Sequence, residues 1–195
     1  MERWKTEQTE TLLDTPWVKV RRDRVVLPNG VKMDDFYAIT IRDASAIVAL
    51  DEGGNLILKR EYRYCYDREL LEIPAGAFND GETDPLVVAK RELLEETGYS
   101  SDHWEYLGPT VESSAKMTNT MHIFLARDCR KVASQHLDET EELTVELVPM
   151  GKAVEMVMTN EICCNSSAHG ILRAARMVEF ARTSEKSCKI DCDLL

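Results

Sequence analysis

The segment from residue 84 to residue 98 contains the most clearly bounded helix that this sequence predicts. Asp84 is a favourable N-cap residue, and Pro85 suits the first helical position because its missing N–H group would have no helical partner there. Gly98 suits the end of the helix because glycine adopts the left-handed backbone conformation at little cost. A well-defined helix between strand-like segments constrains the chain to a mixed α/β fold.

Strand-like runs precede and follow this helix. The segment 17–41 has apolar and β-branched residues on both sides of Leu27-Pro28-Asn29-Gly30, which predicts a β-hairpin. Further strands are predicted at residues 46–50, 56–59, 69–73, 121–126 and 143–148, and further helices at residues 152–159 and 167–183. This order predicts an α/β (α+β) fold, a sandwich with a mixed sheet and an N-terminal β-hairpin arm, rather than a parallel βαβ array.

The same pattern divides the chain into three parts. We expect the N-terminal arm at residues 1–43, the main domain at residues 44–185 and a frayed tail at residues 186–195.

The central helix carries an acidic face. Glu92, Glu95 and Glu96 occupy positions i, i+3 and i+4, within an arc of roughly 100° around the helix axis. Much of the opposite side is apolar and consists of Leu86, Ala89, Leu93 and Leu94. A carboxylate cluster beside a buried surface suits hard cations such as Mg²⁺ or Mn²⁺. A solvated acidic face has the same spacing, so the spacing alone leaves both interpretations open.

Charge and composition exclude several classes of protein. With 24 Lys and Arg against 35 Asp and Glu, the formal net charge is −11, which opposes general nucleic-acid binding. No apolar run approaches the roughly 18 to 20 residues that a membrane span needs, and residues 1–10 are charged where a signal peptide would be apolar. The six cysteines form no C-x-x-C pair, which predicts reduced thiols. We therefore expect a cytoplasmic protein without nucleic-acid or membrane partners.

Other catalytic motifs are missing from the sequence. His122 is predicted in a strand and His169 in a helix, and none of the four histidines has a partner at metal-ligand spacing. We interpret all four as structural. No G-x-S-x-G motif is present, which argues against a Ser/His/Asp hydrolase.

Residues 76–99 resemble the Nudix box, G-x5-E-x7-R-E-U-x-E-E-x-G-U, in which U is apolar or aromatic. Gly76 and Glu82 match its first half. Its second half is matched in full by Arg91, Glu92, Leu93, Glu95, Glu96, Gly98 and Tyr99. One departure is the spacing between the halves, where eight residues, 83–90, stand in place of seven. Because Asp84 and Pro85 begin the helix, we place the additional residue in the loop before it, so that the helical carboxylates keep their register.

Beyond the box, the sequence is most similar to the ADP-ribose pyrophosphatase branch of the Nudix hydrolases. The resemblance covers roughly residues 17–182, and its flanking segments are Leu27-Pro28-Asn29-Gly30, Arg60-Glu61-Tyr62-Arg63, Glu72-Ile73-Pro74-Ala75-Gly76 and Leu137-Asp138-Glu139-Thr140-Glu141-Glu142. It implies a Nudix-type α-β-α sandwich and Mg²⁺-dependent, or Mn²⁺-dependent, hydrolysis of the pyrophosphate bond of ADP-ribose or a related nucleoside diphosphate sugar. The products would be a nucleoside monophosphate and a sugar phosphate. The arm of this branch commonly joins a homodimer, so a homodimer is expected here.

The resemblance also implies how the cation would be bound. Glu92 and Glu96 would bind it, with Glu95 assisting and the Ala75 carbonyl supplying a further oxygen. The structural residues of the box would be Gly76, Glu82, Arg91 and Gly98. Among these, Glu82 would brace the loop against the helix by pairing with Arg91.

Substrate contacts are implied outside the box. Arg63 matches an arginine that relatives direct at the substrate phosphates, although a surface arginine would fit the same position. Trp17 matches an aromatic residue of the arm that contacts the base or the dimer partner, whereas a strand tryptophan considered alone is usually part of the core. Residues 113–120 replace a Pro-Gly pair and an acidic residue common in the branch, which leaves ADP-ribose specificity open.

Catalysis by a water molecule requires a general base. Glu139 is the best positional match for the glutamate that activates water in this branch, and Glu141 and Glu142 are alternatives. Each of the three also fits a solvated residue of an acidic loop.

Two other functions share part of this pattern. A non-catalytic Nudix-fold module would bind a nucleotide or a protein; the longer box favours it, but the intact carboxylate trio argues against it. A MutT-like nucleoside triphosphate pyrophosphohydrolase would share the box, but the N-terminal hairpin and residues 60–76 argue against it.

Overall fold

The computed structural model describes the backbone of residues 1–192 and the side chains of residues 1–178. The predicted frayed tail at residues 186–195 lies outside the residues whose side chains are described. Within residues 1–192 the fold contains eleven strands, three α-helices and one short 3₁₀ helix at Tyr64–Tyr66. Among the described residues, no helix is both long and apolar enough to span a membrane.

The N-terminal arm is a three-stranded antiparallel sheet. It contains β1 (Lys5–Asp14), β2 (Lys19–Val26) and β3 (Lys32–Thr40) in that order. The predicted hairpin is confirmed as β2 and β3, and Gly30 takes the positive φ of 83° that its turn requires. The additional strand β1 was not predicted, because all ten of its residues are exposed and show no apolar alternation.

The main domain is built on an eight-stranded sheet. Its strands are β4 (Ala44–Asp51), β5 (Asn55–Arg63), β6 (Arg68–Glu72), β7 (Ala75–Ala77), β8 (Tyr99–Ser100), β9 (His103–Thr110), β10 (Met121–Lys131) and β11 (Leu143–Pro149). The strand order is β11-β5-β4-β10-β8, with β6 paired to β5, β7 to β4 and β9 to β10. Strands β4 and β10 are parallel and the other pairs are antiparallel, so the predicted mixed sheet is confirmed.

Three helices cover this sheet: α1 (Pro85–Thr97), α2 (Met150–Met158) and α3 (Asn165–Cys192). The predicted ends of α1 are confirmed. The Asp84 side chain accepts a hydrogen bond from the Leu86 N–H group, and Gly98 caps the helix with a positive φ of 75°. The last helix begins two residues before its predicted start at residue 167 and extends to Cys192, beyond its predicted end at residue 183.

Alternate residues of β4 face different helices. Ile47 and Ala49 belong to the cluster that contains Ala89 and Leu93 of α1. A second cluster joins Ala46, Val48 and Leu50 to the apolar side chains of α2 and α3, including Ala153, Ile171 and Ala174. Because both faces of β4 are covered, its sequence is a nearly continuous apolar run. The helices therefore lie on both sides of the sheet, and the predicted α-β-α sandwich is confirmed.

Candidate active site

The acidic face of α1 lies against the short strand β7. The packing of the helix on β4 leaves Glu92 and Glu96 buried, with 8% and 3% of their surfaces exposed. Glu95 lies at the edge of the cluster, and its side chain is 42% exposed. The Ala75 N–H group donates a hydrogen bond to Glu96 Oε2 at 3.0 Å, which fixes one end of the carboxylate. The solvated-face interpretation is therefore wrong for two of the three glutamates.

Gly76 makes room for the Glu92 carboxylate. A Cβ atom at residue 76 would lie 2.1 Å from Glu92 Cδ and from Oε1, which is far closer than van der Waals contact allows. Any side chain here would displace the carboxylate or the strand. The glycine of the box thus allows the Glu92 carboxylate to lie directly against β7.

Arg91 holds the loop before α1 and two of the carboxylates. Its guanidinium donates to both Glu82 oxygens at 3.0 Å, to Glu92 Oε1 at 2.7 Å and to Glu95 Oε2 at 3.0 Å. It also donates to the Ala77 carbonyl at 3.1 Å. The additional residue between Glu82 and Arg91 is accommodated without loss of this pairing.

Lys59 is a charged residue of the site that the motif analysis did not identify. Its ammonium group contacts Glu96, lies 3.1 Å from Glu61 Oε2 and donates to the Ala75 carbonyl at 3.5 Å. Only 2% of Lys59 is exposed, and the three residues before it in β5 are apolar and fully buried. A lysine directly after the apolar residues of a predicted strand is the sequence feature that could have identified it, because a buried charge needs a buried partner.

Arg63 lies in the same network as Lys59. Its guanidinium donates to Glu61 Oε1 at 2.7 Å and to Glu72 Oε2 at 2.8 Å. Beside it is a cavity of about 210 Å³, whose lining includes Arg63, Glu72, Ala75, Gly76 and Ser167. Arg63 therefore lies at a recess next to the carboxylate cluster, and its charge is shared with two glutamates in this structure.

Burial and charge act in opposite directions on the central pair. Burial raises the pKa of Glu96 to about 7, although the neighbouring Lys59 ammonium lowers it. Burial lowers the pKa of Lys59, but the negative charges of Glu96 and Glu61 outweigh that effect and the net pKa is raised. Burial also raises the pKa of Glu92, against the opposing effect of Arg91. A positive charge bound nearby would stabilise the ionised form of these carboxylates, whose pKa values are raised.

Counting the charges shows a deficit of cations. Six carboxylates and three cations form two neighbouring sets of ion pairs, Glu61, Glu72 and Glu96 with Lys59 and Arg63, and Glu82, Glu92 and Glu95 with Arg91. With every group ionised, three negative charges are unbalanced.

These donors fit a hard divalent cation by their chemistry. Within the described residues, no group of three or more Asp, Glu, His or Cys side chains is arranged to hold a metal ion. The oxygens of Glu96 and Ala75 nevertheless bind a cation in this structure, the Lys59 ammonium group. Carboxylate and carbonyl oxygens are also the ligands that Mg²⁺ and Mn²⁺ prefer.

The acidic loop between β10 and β11 begins close to α1. The Gln135 side chain donates to the Glu96 carbonyl at 2.7 Å, and the His136 N–H group donates to the Glu95 carbonyl at 2.8 Å. Glu139 itself is exposed, and among the described residues no hydrogen bond or ion pair joins it to the carboxylate cluster.

The two alternatives to Glu139 lie further along the same loop. Glu141 accepts a hydrogen bond from the Asp138 N–H group at 3.1 Å, and Glu142 is exposed.

Trp17 lies on the surface of the arm and is 75% exposed, so the interpretation of this tryptophan as a core residue is wrong. The Arg42 guanidinium stacks over its ring, 5.3 Å from the centroid. Arg42 also donates to the Phe78 carbonyl at 3.0 Å and to Asp80 at 2.8 Å, both in the loop before α1. Trp17 is thereby linked to the loop of the box but does not contact the buried carboxylates.

Comparison with known families assigns the two parts of this structure. Residues 40–161 match the NUDIX domain. The chain belongs to the Nudix family. Residues 4–39, which form most of the arm, match the nucleoside diphosphate sugar hydrolase N-terminal domain. The family and the enzyme class implied by the box, a pyrophosphohydrolase, are therefore confirmed.

Individual Nudix relatives agree with this assignment. An ADP-ribose pyrophosphatase of Mycobacterium tuberculosis is 30% identical over 87% of this chain and 82% of its own length. A methanol dehydrogenase activator of Bacillus methanolicus is 30% identical over 81% of this chain and 85% of its own. A solved structure described as an ADP compounds hydrolase superposes with a TM-score of 0.79 at 20% identity, over 93% of this chain and 97% of that one, and supports the fold.

Proposed function

We propose that this Nudix enzyme hydrolyses the pyrophosphate bond of ADP-ribose or a related nucleoside diphosphate sugar with Mg²⁺ or Mn²⁺. The products are a nucleoside monophosphate and a sugar phosphate. The observation that carries the proposal is the burial of Glu92 and Glu96 against Ala75 and Gly76, among ion pairs in which carboxylates outnumber cations.

The cation would be held by Glu92, Glu96 and the Ala75 carbonyl, with Glu95 at the margin. When bound there, a divalent ion would supply positive charge to neutralise the pyrophosphate and to polarise phosphorus toward attack by water. The chain itself orients these ligands. Arg91 fixes Glu92 and Glu95 from one side, and the Ala75 N–H group fixes Glu96 from the other.

Arg63 is the residue that we propose for the substrate phosphates. Its guanidinium borders the recess beside the carboxylates and is 36% exposed, so a phosphate in that recess could replace one of its two glutamate partners. Trp17 is proposed to contact the base or the partner subunit from the surface of the arm.

Glu139 is proposed as the residue that activates water. The loop that contains it is attached to the C-terminal end of α1 through Gln135 and His136. As the general base, the glutamate would have to lie within roughly 3 Å of the water that it activates.

The substrate class is supported by both parts of the chain. The domain matched by the arm is described as that of nucleoside diphosphate sugar hydrolases, and the mycobacterial relative is named for ADP-ribose.

Exposed apolar residues of the arm, including Leu12, Leu13 and Val31, support the proposal that a homodimer forms through the arm. Light scattering behind size-exclusion chromatography would test the dimer.

A coupled phosphatase assay tests the activity. ADP-ribose has no terminal phosphate, whereas both of its products are phosphomonoesters that alkaline phosphatase cleaves. Phosphate release would be compared for ADP-ribose, other nucleoside diphosphate sugars, dinucleoside polyphosphates and nucleoside triphosphates, each with Mg²⁺ and with Mn²⁺; triphosphate reactions would be followed chromatographically because phosphatase attacks those substrates directly.

Each outcome has a distinct meaning. Turnover of nucleoside diphosphate sugars supports the proposal. Turnover restricted to triphosphates would instead support the MutT-like activity, and tight ADP-ribose binding without turnover would support a binding module.

A further inference from the structure

Lys59 places a positive charge among the oxygens that the proposed function assigns to a divalent cation. The ammonium group contacts Glu96 and lies 3.5 Å from the Ala75 carbonyl oxygen. Glu61 Oε2, at 3.1 Å, is its third oxygen partner. Two carboxylates and one carbonyl thus bind a cation that belongs to the chain itself.

Packing does not explain a lysine at this position. The preceding residues of β5, Leu56, Ile57 and Leu58, are fully buried, and an apolar residue at position 59 would extend the face of Ile57, which packs against α1. Burial of an ammonium group is unfavourable unless its charge is compensated, so the partners of Lys59 determine whether it is tolerated. Those partners are carboxylates that themselves need a positive charge.

The other charges around Lys59 do not replace it. Arg91 contacts Glu92 and Glu95 but not Glu96, and Arg63 contacts Glu61 and Glu72. Among the described residues, Lys59 is the one cation paired with Glu96.

We propose that Lys59 is a resident cation of the active site, which positions Glu96 when no divalent ion is bound and competes with such an ion for Glu96 and the Ala75 carbonyl. The inference rests on the proposed function, because that function makes these oxygens the metal ligands. Two consequences follow. Divalent ions bind this site more weakly than they would without the lysine, and the metal-free site keeps its geometry.

Mn²⁺ binding by Lys59→Met tests the competition without any substrate. Methionine is similar in length to the lysine stem and carries no charge. Mn²⁺ affinity would be obtained by measuring free Mn²⁺ with electron paramagnetic resonance. The variant should bind Mn²⁺ with an affinity about tenfold or more higher than that of the wild type, because one positive charge close to the ion is removed. Lys152→Met is the matched control, since Lys152 is 59% exposed on α2 and pairs with Glu155 there. Its Mn²⁺ affinity should not change.

Thermal unfolding gives the second measurement. In EDTA, Lys59→Met should melt below the wild type, because Glu96 loses its buried partner. Saturating Mn²⁺ should raise the melting temperature of the variant more than that of the wild type. A purely structural lysine would lower the melting temperature without any gain in Mn²⁺ affinity.

Unchanged or weaker Mn²⁺ binding by the folded variant would overturn the proposal. If Lys59→Met does not fold, it would be refolded in Mn²⁺ together with Lys59→Gln, which keeps a donor for the Ala75 carbonyl. Recovery in Mn²⁺ supports the competition, whereas two variants that stay unfolded in Mn²⁺ would show that the ion cannot replace the ammonium group. Since no substrate is present, these results stand apart from the hydrolysis assay, and inactivity of the wild type would leave them unaffected.

Discussion

The carboxylate of Glu82 and the guanidinium of Arg91 form a two-pronged ion pair between the loop before α1 and the helix. Both N–O distances are 3.0 Å, from Nε to Oε1 and from Nη2 to Oε2. Glu82 also accepts a hydrogen bond from the Asn79 N–H group at 2.7 Å, which closes the loop on itself. The loop therefore accommodates the additional residue while this ion pair is kept, and the register of the helical carboxylates is unchanged.

Replacement of Arg91 by lysine should loosen both the loop and the carboxylates. Lysine retains the charge but not the planar set of donors that reaches Glu82, Glu92 and Glu95 together. We expect a loss of about 1–3 kcal/mol in the free energy of unfolding, measured by urea titration. Arg127→Lys, on an exposed pair with Glu105, is the control and should change stability little. Equal stability of Arg91→Lys and wild type would contradict this role.

Gly76→Ala should impair the site without disturbing the core. The added methyl group would lie 2.1 Å from the Glu92 carboxylate, so that carboxylate must move. We expect kcat/KM to fall by about 10²-fold or more, because a ligand displaced by roughly 1 Å is no longer aligned. Gly151→Ala is the matched control, since its Cβ would meet no atom within 4 Å. Wild-type activity in Gly76→Ala would show that Glu92 need not hold its position.

Glu96→Gln should nearly abolish turnover and preserve the fold. The amide keeps an oxygen for the Ala75 N–H group but loses the charge that would bind the cation. A decrease in kcat of about 10³-fold or more is expected, with unchanged circular dichroism. Glu155→Gln, on the exposed surface of α2, should retain full activity. Retention of activity in Glu96→Gln would remove this residue from the proposed metal site.

Glu139→Gln should show which of the three glutamates of the β10–β11 loop activates water. Loss of a general base lowers kcat by about 10²–10⁴-fold, with little change in cation affinity. Glu141→Gln and Glu142→Gln serve as controls and should retain kcat within a few-fold. If the large decrease occurs in either of these instead, the base is that residue.

Asp23→Asn tests an electrostatic contribution within the arm. Burial raises the pKa of Asp23, but hydrogen bonds from Arg21 at 2.9 Å and Thr9 at 2.8 Å outweigh it and the net pKa is lowered. An acid whose pKa is lowered by folding contributes stability above its unfolded pKa of about 3.9, and that stability is lost as the pH falls through the folded value. Wild-type melting temperatures should therefore drop below about pH 4.

In Asp23→Asn this acid-dependent drop should be smaller, and the variant should be less stable at pH 7 by about 1 kcal/mol. Asp34→Asn provides the comparison, because Asp34 pairs with Arg24 on the exposed surface and its side chain is 72% exposed. Parallel pH profiles for Asp23→Asn and wild type would contradict the assignment.

Local sequence was sufficient for the elements whose stability depends on neighbouring residues. Residues only a few positions apart determine the cap at Asp84, the helix that follows it and the turn at Gly30. These elements can therefore be predicted from the sequence. The carboxylates at residues 92, 95 and 96 share a face for the same reason. The short strands β7 and β8 were missed, and so were the longer strands β1 and β9, because strand pairing is decided by distant partners.

The box, the acidic face of α1 and, through the resemblance to known enzymes, the family can therefore be recognised from the order of the amino acids alone. Which charges meet depends on the folded chain. Lys59 and Glu96 are 37 positions apart along the chain, and no periodicity links a strand residue to a helix residue at that separation. Whether a carboxylate is buried, and which cation compensates it, depends on the packing of β5, β7 and α1 against one another, and this packing makes Lys59 part of the site.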